Sequence, residues 1–176
     1  MKKNLTLLLF MLIGMVAIAG NPFKGFTGKE NLKGIMETDG SAQLVFDWSE
    51  AKYDYTKDLK EGLKEDYDFV LSDCFGKYMD GFNSKSKHLK LSTSANGAKY
   101  KFLLKITNID KRFQPFGFVP KHEGLMWGTL EIIDMETQKT LSTVDIFKAM
   151  DGTDFVPKEC FGATFYLVGN KTAKLK

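Results

Sequence analysis

The chain has 176 residues and a formal net charge of +3 at pH 7, which is small for its size. Arg112 is its only arginine, whereas lysines are spread along the whole chain. Because bidentate recognition of phosphates and base edges favours arginine, this composition argues against a nucleic-acid-binding protein. The length is sufficient for one domain with a substantial core.

The amino terminus has the three-part pattern of a secretory signal peptide. Two lysines at positions 2 and 3 precede an apolar run, Leu5–Ile18, and Ala17 and Ala19 place small residues where a signal peptidase reads them. The run is shorter than the roughly 20 residues of a membrane span. We therefore expect residues 1–19 to be removed and the remaining chain to be periplasmic or secreted, with no membrane span. An uncleaved anchor is the alternative.

Residues 20–41 contain five glycines and Pro22. This composition predicts an extended lead-in with turns and one edge strand near Leu32–Met36. No internal repeat follows, so residues 42–176 are predicted to form a single domain. That domain opens with a strand, residues 42–48, in which alternate apolar side chains share one face.

Two segments have the apolar spacing of helices. In residues 65–86, apolar side chains recur every three or four positions, which predicts a helix that packs on a core. The stripe consists of Tyr67, Val70, Leu71, Cys74, Phe75, Tyr78 and Phe82. A closing helix is predicted over residues 155–176, where Pro157 suits the first turn and lysines occupy the last turns.

Two hairpins are predicted between these helices. In residues 88–109, Asn96-Gly97 separates two alternating segments, which is a strong signal for a type I′ turn. In the second hairpin, residues 125–134 and 139–147 flank a loop, residues 135–138. Asp134 stands where a turn needs a side-chain acceptor, so we interpret it as a turn residue rather than a catalytic carboxylate. Gln138 is predicted to occupy the left-handed position of the loop.

This loop predicts the register of the second hairpin. Ile132 is expected opposite Leu141, and Leu130 opposite Thr143. The other face of the hairpin then carries four large apolar side chains, with the first opposite the last: Trp127, Ile133, Val144 and Ile146. Because so apolar a face is unfavourable in water, we expect the 113–124 segment, a partner or a second copy to cover it.

The predicted order is strand, helix, hairpin, hairpin, helix. It indicates an α+β fold, with a mainly antiparallel sheet of about five strands and two helices packed on it. This order, the helix ending in GFN at 81–83 and the hairpin GTLEIIDMETQKTL resemble small uncharacterised exported bacterial envelope proteins. More distantly they resemble curli-secretion-like and TolB-amino-terminal-like accessory domains. Related hairpins often read D-x-x-T-G-K, and here Gln138 takes the glycine position. The resemblance implies an envelope or assembly role and supplies no catalytic residues.

The inventory of reactive side chains does not predict a catalytic site. His88 and His122 lack metal-site spacing, and no catalytic or phosphate-binding motif is present. Cys74 has no evident base in the sequence. Asp73 and Asp80 are two helical turns apart and can line one groove, although a solvated helix face is the simpler interpretation. We therefore expect no catalytic residue, no metal and no cofactor.

An aromatic segment is the more informative feature. Phe113, Phe116 and Phe118 alternate with glycine and two prolines, which predicts a loop between strands because proline is excluded from a sheet interior. The three rings either fold back as a lid on the core or form an exposed interaction patch together with Trp127.

Cys74 and Cys160 are the only cysteines. An even count in an exported chain permits a disulfide, and both residues lie near predicted helix starts over the same sheet. The sequence leaves two alternatives open, a Cys74–Cys160 bond or two buried free thiols.

These observations predict a non-catalytic exported envelope protein with a binding or assembly role. Its expected partner is an envelope protein or a second copy of itself. The alternative is a small-ligand carrier or an enzyme whose site the sequence does not reveal.

Overall fold

The structure is a computed structural model of the chain. It describes the backbone of residues 20–116, 119–154 and 156–176, and the side chains of these residues except 114–116, 119–120 and 151–154. The expected signal peptide, residues 1–19, lies outside the described residues, as does Phe118.

Eight strands form one sheet, with helices packed on it. The strands are β1 Phe23–Thr27, β2 Gly40–Asp47, β3 Lys52–Tyr53, β4 Lys57–Asp58, β5 Leu89–Ser92, β6 Ala98–Phe116, β7 Val119–Asp134 and β8 Thr140–Asp154. The helices are α1 Lys29–Met36, α2 Leu59–Leu63, α3 Tyr67–Lys85 and α4 Glu159–Thr172. The strand order is β1-β8-β7-β6-β2-β5, and β3 pairs with both β6 and β4.

The predicted fold class was wrong. The sheet is mixed, because β2 runs parallel to both β5 and β6 while β6, β7 and β8 are antiparallel. It has eight strands rather than about five, and more than two helices pack around it. The error arose from counting adjacent apolar segments as hairpins, whereas β2 pairs with strands that come about 50 residues later in the chain.

The first predicted hairpin, residues 88–109, does not form. Its two segments became β5 and β6, and β2 lies between them. Gly97 does adopt a left-handed conformation, with φ of 72°, but it lies in a connection that joins two strands parallel to β2. Because β5 has only four residues, the chain returns only a short distance before β6 begins in the same direction. The Asn-Gly signal therefore marked a turn, which the bond from the Ala98 N–H to the Ala95 carbonyl closes at 3.2 Å. The predicted type I′ geometry and the pairing were both wrong, because Asn96 does not share the positive φ of Gly97.

The segment 20–41 contains regular structure. The edge strand lies at Phe23–Thr27, where it pairs with β8, and Leu32–Met36 is helical rather than extended. Leu32, Ile35 and Met36 are buried. Their i, i+3, i+4 spacing is that of a helix with one apolar face.

The turn between β7 and β8 forms as predicted. The backbone N–H and the hydroxyl of Thr137 both donate to Oδ1 of Asp134, at 2.7 and 2.9 Å. These bonds lower the pKa of the Asp134 carboxyl, because they favour its charged form. Gln138 has φ of 57°, so it occupies the left-handed position.

The register beyond this turn differs from the prediction. Leu141 is an extra residue in a β-bulge, so Ile132 pairs with Ser142 and Leu130 with Val144. The shift of one residue turns Val144 and Ile146 toward the core, where both are buried. The four-residue apolar outer face that was expected does not exist, because two of its members belong to the core.

Helices α3 and α4 pack side by side on the core face of the sheet. Gly162 lies against Asp73 near the start of both helices, and Gly169 lies against Tyr78 further along, so the helices run in the same direction. A Cβ at Gly169 would overlap the carbonyl oxygen of Tyr78. The hydroxyl of buried Tyr78 donates to Thr172 Oγ1 at 3.1 Å, which satisfies it across the same interface.

Aromatic rings connect these helices to the sheet. Phe46 in β2 has its ring centroid 5.1 Å from that of Phe75 in α3 and 5.6 Å from that of Phe165 in α4. Trp48 also contacts Phe165, at 5.8 Å. The predicted helices over residues 65–86 and 155–176 are therefore confirmed as core-packed elements, with α3 and α4 as their regular parts.

Gln138→Gly is expected to stabilise the protein by about 0.5–1 kcal/mol, because glycine relieves the strain of a left-handed residue. Gln138→Ala keeps that strain and loses the side-chain bond from Nε2 to the Met135 carbonyl, so it should give no gain. Urea denaturation of the three proteins measures both effects. A clear loss of stability for Gln138→Gly would show that the turn is wrongly placed.

Gly169→Ala is expected to destabilise the protein by about 1–3 kcal/mol, because the added methyl group forces α3 and α4 apart. Gly76→Ala is the matched control in α3, since its Cβ would meet no atom within 4 Å. That control should stabilise the helix by about 0.5–1 kcal/mol. Equal effects of the two substitutions in thermal denaturation would contradict the close packing at Gly169.

Candidate binding site

Trp127 lies in the middle of the sheet between two irregular neighbours. In β6, one extra residue lies between Ile106 and Asn108, opposite Gly128 and Trp127 of β7. In β8, two residues lie between Ile146 and Ala149, opposite a single one in β7. The straight central strand is thus flanked by a β-bulge on each side. Bulges are over-represented next to functional sites, because they redirect side chains.

These bulges leave aromatic side chains on the face of the sheet away from α3 and α4. Met126 belongs to the core, so Trp127 points to the opposite face, where it is half-buried. The ring of Tyr55 meets it edge to face, with centroids 5.1 Å apart and planes at 61°. Phe147 occupies the bulge in β8 and is 58% exposed. We call Tyr55, Trp127 and Phe147 the outer aromatic surface.

A strained loop presents Tyr55. Asp54 and Tyr55 have φ of 52° and 60°, a left-handed conformation that residues with a Cβ rarely adopt. The N–H of Asp54 donates to the Ile109 carbonyl at 3.0 Å, and the N–H of Tyr55 donates to Oδ1 of Asn108 at 2.7 Å. Strain of this kind, of order 1–3 kcal/mol per residue, persists where the surrounding structure imposes it, and it clusters at functional sites.

Asn108 connects the bulge in β6 to this loop. Its side chain is buried, with 3% of the residue exposed, and its Oδ1 accepts the Tyr55 bond. Its Nδ2 has no acceptor among the described residues. A buried donor without a partner lowers stability, while Oδ1 of the same side chain holds the Tyr55 backbone.

Charged groups surround the tyrosine hydroxyl. Partial burial raises the pKa of Tyr55, Asp110 raises it further, and Arg112 lowers it. Asp110 and Arg112 are two positions apart in β6 and therefore lie on the same face of the sheet. One acidic side chain and the only arginine of the chain thus flank the exposed ring of Tyr55. The surface therefore combines large apolar rings with charges of both signs.

Phe113, from the predicted patch, does not join this surface. Phe113 is 61% exposed and pairs with His122, whose ring lies 5.8 Å away. It is four residues beyond the core residue Ile109, so it points to the helix-bearing face, opposite to Trp127. Where it is described, the segment is not the predicted loop, because strands β6 and β7 extend through it. Phe118 and the side chain of Phe116 lie outside the described residues.

Proline did not exclude this segment from the sheet. Pro115 and Pro120 lie opposite one another near the tip of the β6–β7 hairpin. Beyond Ile109, β6 has no neighbouring strand on its other side in the described part of the chain. Proline is tolerated on such an edge strand, because its missing N–H interrupts no ladder there.

The side chains considered for catalysis remain separate. Asp134 is fully engaged in its turn, and His88 pairs with Asp39 at 2.8 Å on an exposed surface. Asp73 and Asp80 do line one shallow groove on the exposed face of α3. Over the described residues, no three histidine, cysteine or carboxylate side chains gather in a way that could hold a metal ion.

Two further negative findings concern membranes and relatives. None of the helices in the described ranges has both the length and the apolar character of a membrane-spanning helix. The chain matches no described protein family and no curated protein.

Solved structures show a weak overall similarity. The PelC dodecamer from Paraburkholderia phytofirmans is 10% identical, with a TM-score of 0.42 over 77% of this chain and 86% of that one. A neuraminyllactose-binding hemagglutinin homolog from Helicobacter pylori is 11% identical, with a TM-score of 0.37 over 80% and 89%. Similarity at this level carries no argument about the role of the chain.

Sequence reasoning found Trp127 but missed Tyr55, Asn108 and Phe147. A signal for the bulges exists, because the core residues Ile106 and Ile109 are three positions apart in a strand, where an even spacing is expected. Ile146 and Ala149 repeat this spacing in β8. No comparable signal marks Tyr55, whose position depends on contacts with residues more than 50 positions away.

Cys74 and Cys160 are both buried, and no disulfide joins them in the structure. Burial raises the pKa of the Cys74 thiol well above its usual value, with Asp73 and Cys160 as further causes, so the thiol is a poor nucleophile.

We expect the folded protein to react slowly with a thiol reagent and the unfolded, unreduced protein to release two thiols. Absence of free thiols after unfolding would instead establish the disulfide.

Proposed function

We propose that the protein is a non-catalytic binding protein of the bacterial cell envelope and that the outer aromatic surface holds its partner. The observation that carries this proposal is the Tyr55–Trp127 pair, which lies on the sheet face away from α3 and α4 next to a strained loop. Tyr55 is 59% exposed although its backbone is fixed by two hydrogen bonds, one from its own N–H and one from that of Asp54.

The residue types support recognition of another protein. Tryptophan, tyrosine and arginine dominate the energetic centres of protein interfaces. Here Trp127 and Tyr55 form the centre and Arg112 lies beside it. Phe147 extends the apolar area across β8.

The strained loop also favours binding. A side chain that is already held in its bound position loses little entropy when a partner docks. Asn108 supplies this constraint, because its side-chain Oδ1 accepts a hydrogen bond from the Tyr55 backbone N–H. The energy stored in the two left-handed residues is then explained by a partner-binding role.

The chemistry of these groups favours binding over catalysis. Indole, amide and guanidinium groups do not change protonation state near neutral pH, and burial and Asp110 move the pKa of Tyr55 further from neutrality. The resemblance to curli-secretion-like and TolB-like accessory domains remains a prediction, and it agrees with an assembly or accessory role.

A small-ligand carrier is the second candidate. It is favoured by one observation, the unpaired Nδ2 of Asn108 beneath the surface, which could donate to a ligand oxygen. The two candidates differ in the size of what the surface retains, a macromolecule or a small molecule.

Trp127→Ala is expected to abolish capture of a protein from envelope extract by immobilised chain 20–176, because truncation of a central aromatic weakens an interface by about 2 kcal/mol or more. Tyr55→Ala should act in the same direction. Phe113→Ala is the control, since it removes a ring about as exposed as that of Tyr55, 61% against 59%, from the opposite face.

Quantitative mass spectrometry of the captured proteins measures the effect, and thermal denaturation checks that each variant folds. Equal capture by Trp127→Ala and the wild type would overturn the proposal. If Trp127→Ala only lowers the melting temperature and capture is retained, Trp127 is a structural residue.

A further inference from the structure

The outer aromatic surface continues into a groove on the same sheet face. Thr129 follows Trp127 by two residues in β7, and Thr107 precedes Asn108 in β6. Both threonines line this groove. Because side chains two apart in a strand share a face about 7 Å apart, the groove begins directly beside Trp127.

The lining of this groove is acidic. Asp47, Glu50 and Glu131 contribute three carboxylates, and Lys105 is the only cationic side chain among its lining residues. Nζ of Lys105 lies 2.6 Å from Oε1 of Glu131, so its charge is already paired. Asp145 lies just beyond, where its carboxylate accepts a hydrogen bond from Thr129 at 3.3 Å.

This acidity is local rather than general. The chain as a whole carries a formal net charge of +3. At the groove, one carboxylate is neutralised by Lys105, which leaves Asp47 and Glu50 as its excess negative charge. The hydrogen bonds from Ser49 lower the pKa of Asp47, so this carboxylate stays ionised at neutral pH.

We propose that the partner docks with a basic polypeptide segment, whose lysine or arginine side chains lie in this groove while an apolar or cationic side chain contacts the Tyr55–Trp127 pair. The inference rests on the proposed function and adds the chemistry of the partner. Charge complementarity selects the basic segment, and aromatic rings attract cations as well as apolar groups.

The groove lies between strands whose side chains alternate, which suits a segment in extended conformation. Trp127, Thr129 and Glu131 mark successive outward positions along β7, so aromatic, polar and acidic contacts follow one another along one line. The docked segment therefore needs a side chain that contacts the aromatic rings at one end and cationic side chains at the other end.

The test uses the chain 20–176 and three fluorescent decapeptides: decalysine, its fully acetylated form and decaglutamate. Fluorescence anisotropy should show binding of decalysine that weakens as salt is added. Acetylation keeps the size of lysine and removes its charge, so the acetylated peptide should not bind, and decaglutamate should not bind either.

Two groove variants change the charge in opposite directions. Asp47→Asn with Glu50→Gln should weaken decalysine binding about fivefold, and Lys105→Met should strengthen it severalfold by leaving Glu131 unpaired. Glu30→Gln with Glu37→Gln is the control, because it removes two exposed carboxylates in and next to α1.

The outcomes separate this inference from the proposed function. Absence of decalysine binding, equal binding of the acetylated peptide, equal effects of the groove and control variants, or weaker binding by Lys105→Met would each overturn the basic segment. Trp127→Ala would still abolish capture from extract in those cases if the outer aromatic surface is the site. Retained capture by Trp127→Ala overturns the proposed function itself.

Discussion

The bulges on either side of Trp127 are the constraint on which the sheet depends. Each adds one residue to a long strand, so the alternation of faces restarts, and Ile106 and Ile109 both reach the core although they are three positions apart. Without this extra residue, one half of the strand would turn its apolar side chains to the outer face. The bulges therefore allow each long strand to keep its apolar side chains on the core face. The residues at the bulges do not serve this packing.

The proposed binding role would explain why local features that lower stability occur together at one place. A buried amide with an unpaired donor and two consecutive left-handed residues each lower stability, and they meet at Asn108 and Tyr55. Strain of this kind clusters at functional sites, and at Asn108 and Tyr55 it coincides with the surface for which a binding role is proposed. Under the proposed function, the acidic groove beside Trp127 favours a partner whose positively charged side chains lie along β7.

The parts of the fold that the sequence predicted are those that local chemistry decides. The helical stripe of α3, the Asp134 turn and the left-handed Gln138 depend on residues a few positions apart, and all three are present. The insertion of β2 between β5 and β6 depends on pairing across about 50 residues, and it overturned the predicted hairpin and the fold class. The Leu141 bulge shifted the register and moved Val144 into the core. The sequence named Trp127 as a candidate interaction residue, but Tyr55 reaches it only through tertiary contacts.

The side chain of Asn108 holds Tyr55 against Trp127, and hydrogen exchange of the Tyr55 backbone amide tests this constraint most directly. We expect this amide to be protected in the wild-type protein and to lose its protection in Asn108→Ala. The Asp54 amide, which donates to the Ile109 carbonyl instead, should remain protected in both. A Tyr55 amide that exchanges in the wild type as fast as in an unstructured peptide would contradict the account.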